Sequence, residues 1–157
     1  MAAKIIDGKA IAQEINRETA EIVANLASQG KKVGLAVVLV GEDPASCVYV
    51  RNKVRACAEV GIESRHINMP ADSTTEDVLK VIAELNADDA IDGILVQSPP
   101  PPQVDEAAVI LAIDPDKDVD CFAERNVGRL LIGEKKPWHC MRRKNRWEIR
   151  FLWRITV

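Results

Sequence analysis

The sequence predicts a three-layer α/β domain: a mainly parallel sheet, alternating βα units and a long N-terminal helix. Three observations predict it. VGLAVVLVG, Val33 to Gly41, is an unbroken aliphatic run, the composition of a strand buried on both faces. Strand-like and helix-like patterns alternate three times along the chain, which specifies parallel strands joined by right-handed crossovers. The 157 residues are 47% hydrophobic and 29% charged, enough to bury one core without staples and too apolar for a disordered chain.

The elements follow in order. DGKAIAQEINRETAEIVANLASQG reads as the first helix, with Ile11, Ile15, Ile22 and Leu26 at helical spacing and Gly30 just past its end. After the Val33–Gly41 strand, EDPAS opens a second helix. Asp43 suits its N-cap and Pro44 its first position, and Gly61 ends it after Val60. IESRHINM is a second strand. Thr74-x-x-Asp77 is a weakened capping box for a third helix, whose stripe is Val78, Val81, Ile82 and Leu85. Ile91 to Gln97 is a third strand, broken by SPPPP because proline cannot donate to a ladder. Val104 to Ile113 reads as a fourth helix, followed by the loop DPDKDVD.

In open α/β sheets, functional groups gather beyond the carboxyl ends of the strands. That rule brings the GEDPAS turn with YVRNK, the VQSPPPP turn and the DPDKDVD loop to one edge. Tyr49, the only tyrosine, and Lys53 stand one helical turn apart on one face. An ordinary lysine is a poor base near neutrality, and becomes a useful one when desolvated and steadied by neighbours. Tyr49 and Gln97, each a donor and an acceptor, are candidate neighbours. On the residues alone, a solvated helix pair and an active-site triad both stay open. Asp116, Asp118 and Asp120 flank Lys117: either a solvated acidic turn, or a carboxylate that grips a cationic or amide-rich ring by paired hydrogen bonds.

Other chemistries are disfavoured. The loop lacks the glycine and distal glutamate of an EF-hand. Cys47, Cys57, Cys121 and Cys140 form no C-x-x-C pair, and the histidines are only His66 and His139; no metal site is expected, and free thiols are. His66 reads as an ordinary strand residue. The SPPPP prolines read as a rigid turn, since a ligand for an SH3-like module needs an exposed extended segment. No Walker A motif and no G-x-G-x-x-G follows a strand. A net charge of -3 gives no case for nucleic acid as main partner. The N-terminus lacks a signal-peptide core and no apolar run approaches the roughly 20 residues needed to span a bilayer, so no membrane association and a cytoplasmic location are expected.

Residues 138–157, WHCMRRKNRWEIRFLWRITV, differ from the rest. They hold all three tryptophans, six basic residues and one acidic residue, against 15 basic and 23 acidic before them. Trp147, Ile149, Phe151, Trp153, Ile155 and Val157 alternate as on one face of a strand. Such a tail fits a membrane-surface or nucleic-acid contact, or sequence foreign to the domain. The expected division is one α/β domain over 1–137 and an atypical tail over 138–157.

IIDGK, VGEDPAS, YVRNK, GILVQ with its prolines, PDKDVD and NVGRL occur in one order and spacing. From about Lys4 to Trp138 the chain resembles the N-terminal part of the bifunctional methylenetetrahydrofolate dehydrogenase/methenyltetrahydrofolate cyclohydrolase family. The resemblance implies an enzyme of one-carbon metabolism with two α/β domains, usually a homodimer. It oxidises 5,10-methylenetetrahydrofolate with NADP, sometimes NAD, and hydrolyses the methenyl product to 10-formyltetrahydrofolate. It implies that Lys53 is the key catalytic residue, with Tyr49 along the folate ring and Gln97 as the lysine's partner. The family's proline turn falls on Val96 to Pro101, placing Val96, Gln97 and Ser98 at the substrate, and Asp120 matches the aspartate that holds the pterin edge.

Ser98 and Pro100 replace the family's leucines, which predicts a different aim for Gln97. Cys121 replaces a glycine, at a cost of roughly 1 kcal/mol if the position needs a positive φ. HCMRRK stands where the family has P-C-T-P, and the family's glycine-rich cofactor domain, late folate-contacting loop and final helix have no counterpart in the 157 residues. This chain is therefore expected to bind no NADP and to lack dehydrogenase activity of its own. The alternative is a catalytically inactive fragment that binds folate or a partner.

Overall fold

The computed structural model describes residues 6–132. The expectations for residues 133–157, the composition and strand pattern of the tail among them, lie outside the described residues.

Three parallel strands form the sheet: β1 (Gly34–Val40), β2 (Glu63–Met69) and β3 (Gly93–Val96), in the order β2-β1-β3. Every residue of the central β1 is buried, as its unbroken aliphatic run requires. Its side chains alternate between two cores. Leu35, Val37 and Leu39 pack with Val23, Leu26, Val50, Cys57 and Val60 on one face. Ala36, Val38 and Val40 pack with Val78, Ile82, Leu85 and Val109 on the other. The three-layer expectation is thus met, with α1 (Gly8–Ser28) and α2 (Pro44–Glu59) on one side and α3 (Thr75–Ala87) and α4 (Glu106–Ala112) on the other.

The caps explain where the helices start. Asp7 accepts from Ala10 N, and Asp43 accepts from Ser46 N with Pro44 in the first turn. The capping box at Thr74 and Asp77 is complete, with both reciprocal bonds made. Gly30 and Gly61, at φ 73 and 84, end α1 and the α2 turn in the left-handed conformation that glycine tolerates.

Three sequence expectations are corrected. The buried stripe of α1 is Thr19, Val23 and Leu26. Ile11, in the first half of the helix, is 50% exposed, and Ile22, in the second half but off the Thr19–Val23–Leu26 face, is 36% exposed. The fourth helix begins at Glu106 and not at Val104, because the Asp105 carboxylate accepts from Ala108 N and sets the N-cap there. A fifth helix, α5 (Glu124–Leu131), follows the acidic loop and was not expected. Its only buried residue is Asn126, so it carries no apolar stripe facing the core. Cys47 and Cys57 are free thiols, whereas Cys121 is disulfide-bonded, against the free-thiol expectation.

Gly34 opens β1 where the chain passes under Ala90. A Cβ at Gly34 would lie 2.0 Å from the Ala90 carbonyl oxygen, a backbone atom that cannot step aside. Gly34→Ala is expected to cost about 2–3 kcal/mol, read as a lowered urea midpoint with unchanged slope.

Candidate active site

α2 carries a buried stripe of Ser46, Val50, Lys53 and Cys57, spaced by four, three and four residues. Lys53 thus occupies a position that the helix period assigns to the core. It is 8% exposed, and its Nζ lies 4.6 Å from the centroid of the Tyr49 ring, within cation–π range. Tyr49 is 48% exposed, so its ring borders both the amine and solvent.

Among the described residues Lys53 makes no hydrogen bond, and no carboxylate lies within ion-pair distance of it. Burial pushes its pKa below the ordinary 10.5, and the negative charge of Asp120 offsets part of that shift. Asp120 shows the complementary effect. Burial raises its pKa, the Lys53 charge lowers it, and the nearby Asp118 charge raises it again. Cys57, one turn beyond Lys53, has its thiol pushed up to about 11, chiefly by burial. Sequence reasoning passed over Cys57; the signal was its i+4 spacing from Lys53, which repeats that of Tyr49 and Lys53.

The acidic loop divides its residues by task. The Lys117 ammonium, 1% exposed, donates to Leu85 O at 2.7 Å and Asp88 O at 2.8 Å, the carbonyls at the end of α3. A cation at a helix C-terminus is favoured by the helix dipole. The carbonyl of Lys117 accepts from Ile94 N at 2.7 Å, and Asp118 bridges to Ile94, so the loop runs beside β3. Asp118 Oδ2 accepts from Ala123 N at 2.8 Å and from Asn126 Nδ2 at 3.0 Å. Val119 is packed in the α1–α2 core. Asp120 alone of the three aspartates faces Lys53 electrostatically. Cys121 then takes φ 61, a conformation that costs an L residue about 1–2 kcal/mol. Asp116 lies in a turn in which its N–H donates to Asp114 Oδ1.

Gln97 stands at the end of β3, with its backbone N–H donating to Val38 O at 2.8 Å. Its side-chain amide turns to Ser98 O at 2.8 Å. The Ser98 hydroxyl donates to Glu106 in the first turn of α4, and the Ser98–Pro99 peptide is cis. Val96 is half-buried against the α3–α4 core. The structure therefore brings Tyr49, Lys53 and Asp120 together and leaves the Gln97 carboxamide engaged with its own turn.

The described residues do not fit a dinucleotide. A pyrophosphate needs free backbone N–H groups at a glycine-rich strand–helix turn. After β1 the turn is Gly41-Glu42-Asp43, and the Asp43 carboxylate already takes Ser46 N. The later turns, Pro70 to Thr74 and Ser98 to Pro102, offer no glycine. Among the described residues no cluster of three histidine, cysteine or acidic side chains is placed to hold a metal.

The tetrahydrofolate dehydrogenase/cyclohydrolase catalytic-domain profile matches residues 6–120. The chain is 54% identical over 130 residues to a protein named bifunctional protein FolD from Chlorobium chlorochromatii, covering 82% of this chain and 44% of that protein. It is 54% identical over 140 residues to one of the same name from Moorella thermoacetica, covering 89% of this chain and 50% of that protein. It superposes on the crystal structure of the bifunctional methylenetetrahydrofolate dehydrogenase/cyclohydrolase FolD of Campylobacter jejuni with TM-score 0.83 and 41% identity, covering 84% of this chain and 47% of that one. The Trypanosoma brucei dehydrogenase-cyclohydrolase, complexed with NADP and an inhibitor, gives TM-score 0.82 and 38% identity, covering 88% of this chain and 48% of that one. The chain spans about half the length of the curated relatives it matches.

The two shifted groups carry opposite pH signatures. Between the lowered Lys53 value and 10.5 the unfolded chain holds more protons, so stability rises with pH through that window. Between 3.8 and the raised Asp120 value the folded chain holds more, so stability falls as pH rises through that window. The double variant Lys53→Met/Asp120→Asn is expected to flatten both slopes and to gain about 1 kcal/mol or more at neutral pH. Urea denaturation across the pH range checks this; Lys53→Met alone should fare worse than the pair, since it leaves Asp120 without its opposite charge.

Proposed function

The chain belongs to the tetrahydrofolate dehydrogenase/cyclohydrolase family, and from that premise we propose that it forms the folate-binding, catalytic part of a bifunctional one-carbon enzyme. In this reading the catalytic domain covers residues 1–137, with 138–157 a separate tail. The parent reactions are NADP-dependent oxidation of 5,10-methylenetetrahydrofolate and hydrolysis of 5,10-methenyltetrahydrofolate to 10-formyltetrahydrofolate. The observation that carries the proposal is the Lys53 amine: buried in the stripe of α2, lowered in pKa and set over the Tyr49 ring.

Hydrolysis uses what these residues supply. The methenyl bridge is cationic, which disfavours a second positive charge beside it and keeps Lys53 neutral. Water adds to the bridge carbon as Lys53 Nζ accepts one of its protons. The remaining hydroxyl proton passes to the N5 nitrogen as the C–N5 bond breaks and the formyl carbonyl forms on N10. Net, one proton is released. The half-exposed Tyr49 ring offers a face for the folate ring, and Asp120 offers two oxygens to the amide-rich pterin edge. Val96, Gln97 and Ser98, at the carboxyl end of β3, border the same edge of the sheet.

A second reading, folate binding without turnover, is favoured by one observation: the Gln97 amide is turned to Ser98 O and gives Lys53 no hydrogen bond.

Hydrolysis of 5,10-methenyltetrahydrofolate by the 157-residue chain, followed by loss of the methenyl chromophore, decides between them. The expected rate rises with pH as Lys53 loses its proton, and falls by about 100-fold or more in Lys53→Ala. Folate binding with no lysine-dependent rate would establish the second reading. NADP-dependent oxidation is expected to be absent from this chain, and robust oxidation would overturn that expectation.

A further inference from the structure

α5 is held to the domain by an amide where an aliphatic side chain would be the ordinary choice. Asn126 is 1% exposed, while Val127, Leu130 and Leu131 of the same helix are 36%, 55% and 80% exposed. Its Nδ2 donates to Pro115 O at 2.9 Å and to Asp118 Oδ2 at 3.0 Å. Those acceptors lie near the beginning and in the middle of the acidic loop. Asp118 Oδ2 also accepts from Ala123 N at 2.8 Å, at the N-cap of α5. A leucine at this position would bury more apolar area and fix nothing in register. A carboxamide with both donors engaged sets the distance between two points of the loop.

We propose that Asn126 is a positioning residue for Asp120, acting through Asp118 to hold the loop that presents the Asp120 carboxylate to the site. The role given to Asp120 rests on the folate reading above; the placement of Asp120 relative to Lys53 does not. Asp118 is held by two neutral donors, Ala123 N and Asn126 Nδ2. Its carboxylate is thereby kept at a set distance from Asp120, whose facing charged groups are Lys53 on α2 and Asp118 on the loop. Removing the amide leaves Asp118 Oδ2 with Ala123 N as its one remaining donor of the two, which loosens its placement, and Asp120, two residues along, shifts with it.

The test uses the whole 157-residue chain with 13C-labelled aspartate carboxyls, in the wild type, Asn126→Ala and the milder Asn126→Ser, which keeps one donor. The first readout is the titration midpoint of Asp120, which needs no folate. The second is the hydrolysis of 5,10-methenyltetrahydrofolate. In folded Asn126→Ala the Asp120 midpoint is expected to move by about half a pH unit or more, with a smaller move in Asn126→Ser. KM is expected to rise about tenfold with kcat within about threefold. A lowered melting temperature with an unmoved Asp120 midpoint would overturn the proposal, leaving Asn126 a purely structural residue. Should Asn126→Ala fail to fold, Asn126→Ser decides by the same readouts; failure of both assigns Asn126 to folding and overturns it too. If the wild type neither binds nor hydrolyses the folate, the folate reading fails while the Asp120 titration still decides the positioning.

Discussion

A lysine set in the buried stripe of α2, between Val50 and Cys57, holds its ammonium over the Tyr49 ring and largely away from water. Water would solvate that charge far better than this setting does, so the position is an expensive one. The rest of the site can be understood as a response to that expense. Tyr49 turns its ring to the amine, which lends the ring's negative face to the cation without a proton acceptor. Asp120 stands close enough to be felt and too far to form an ion pair. A carboxylate in contact would hold the amine charged and spoil it as a base. One at a distance leaves it poised between states.

The contrast with Lys117 makes the point sharper. Both lysines are buried, yet Lys117 has its ammonium on two carbonyls at the end of α3. Hydrogen bonds to a charged group contribute about 1.5–3 kcal/mol each, so Lys117 is compensated where Lys53 is not. One buried lysine is part of the framework and the other is its dependant. Lys117, Asp118 and Val119 fix the loop to α3, to α5 and to the core in turn, and Asp120 is the next residue along. Cys121 follows in a left-handed turn that only glycine takes without cost. The loop is thus tied ahead of Asp120 by these contacts and followed directly by the strained, disulfide-bonded Cys121.

Much of the framework was legible in the sequence because it rests on periodicity. The aliphatic run of β1, the caps at Asp43 and Thr74 and the breaks at Gly30 and Gly61 are local signals with local causes. The first stripe was right at Leu26 and wrong at Ile11 and Ile22, because the isoleucines share its helical spacing while the packing is done by Val23 and Leu26 in the later turns of α1. α5 escaped notice because its anchor is polar, and hydrophobic patterning has nothing to say about a buried asparagine. For the site, the pairing of Tyr49 with Lys53 could be read from their spacing. The turn of Gln97 toward Ser98 could not, because it depends on the conformation of one short loop.

The arrangement also bears on why such a site is hard to keep stable. Lys53 and Asp120 are each shifted toward the neutral form, and burial is the leading cause for both. At neutral pH each ionised group therefore subtracts from stability, and their mutual attraction recovers only a part. The carboxylate must be held at its distance by something other than that attraction, since attraction alone would draw it in. Neutral donors meet this need: they fix Asp118 by direction and length and add no positive charge that would compete with Lys53 for Asp120. An arginine in place of Asn126 would bind Asp118 more strongly and still serve the site less well. The identity of the anchor thus follows from the electrostatics of the residues it serves.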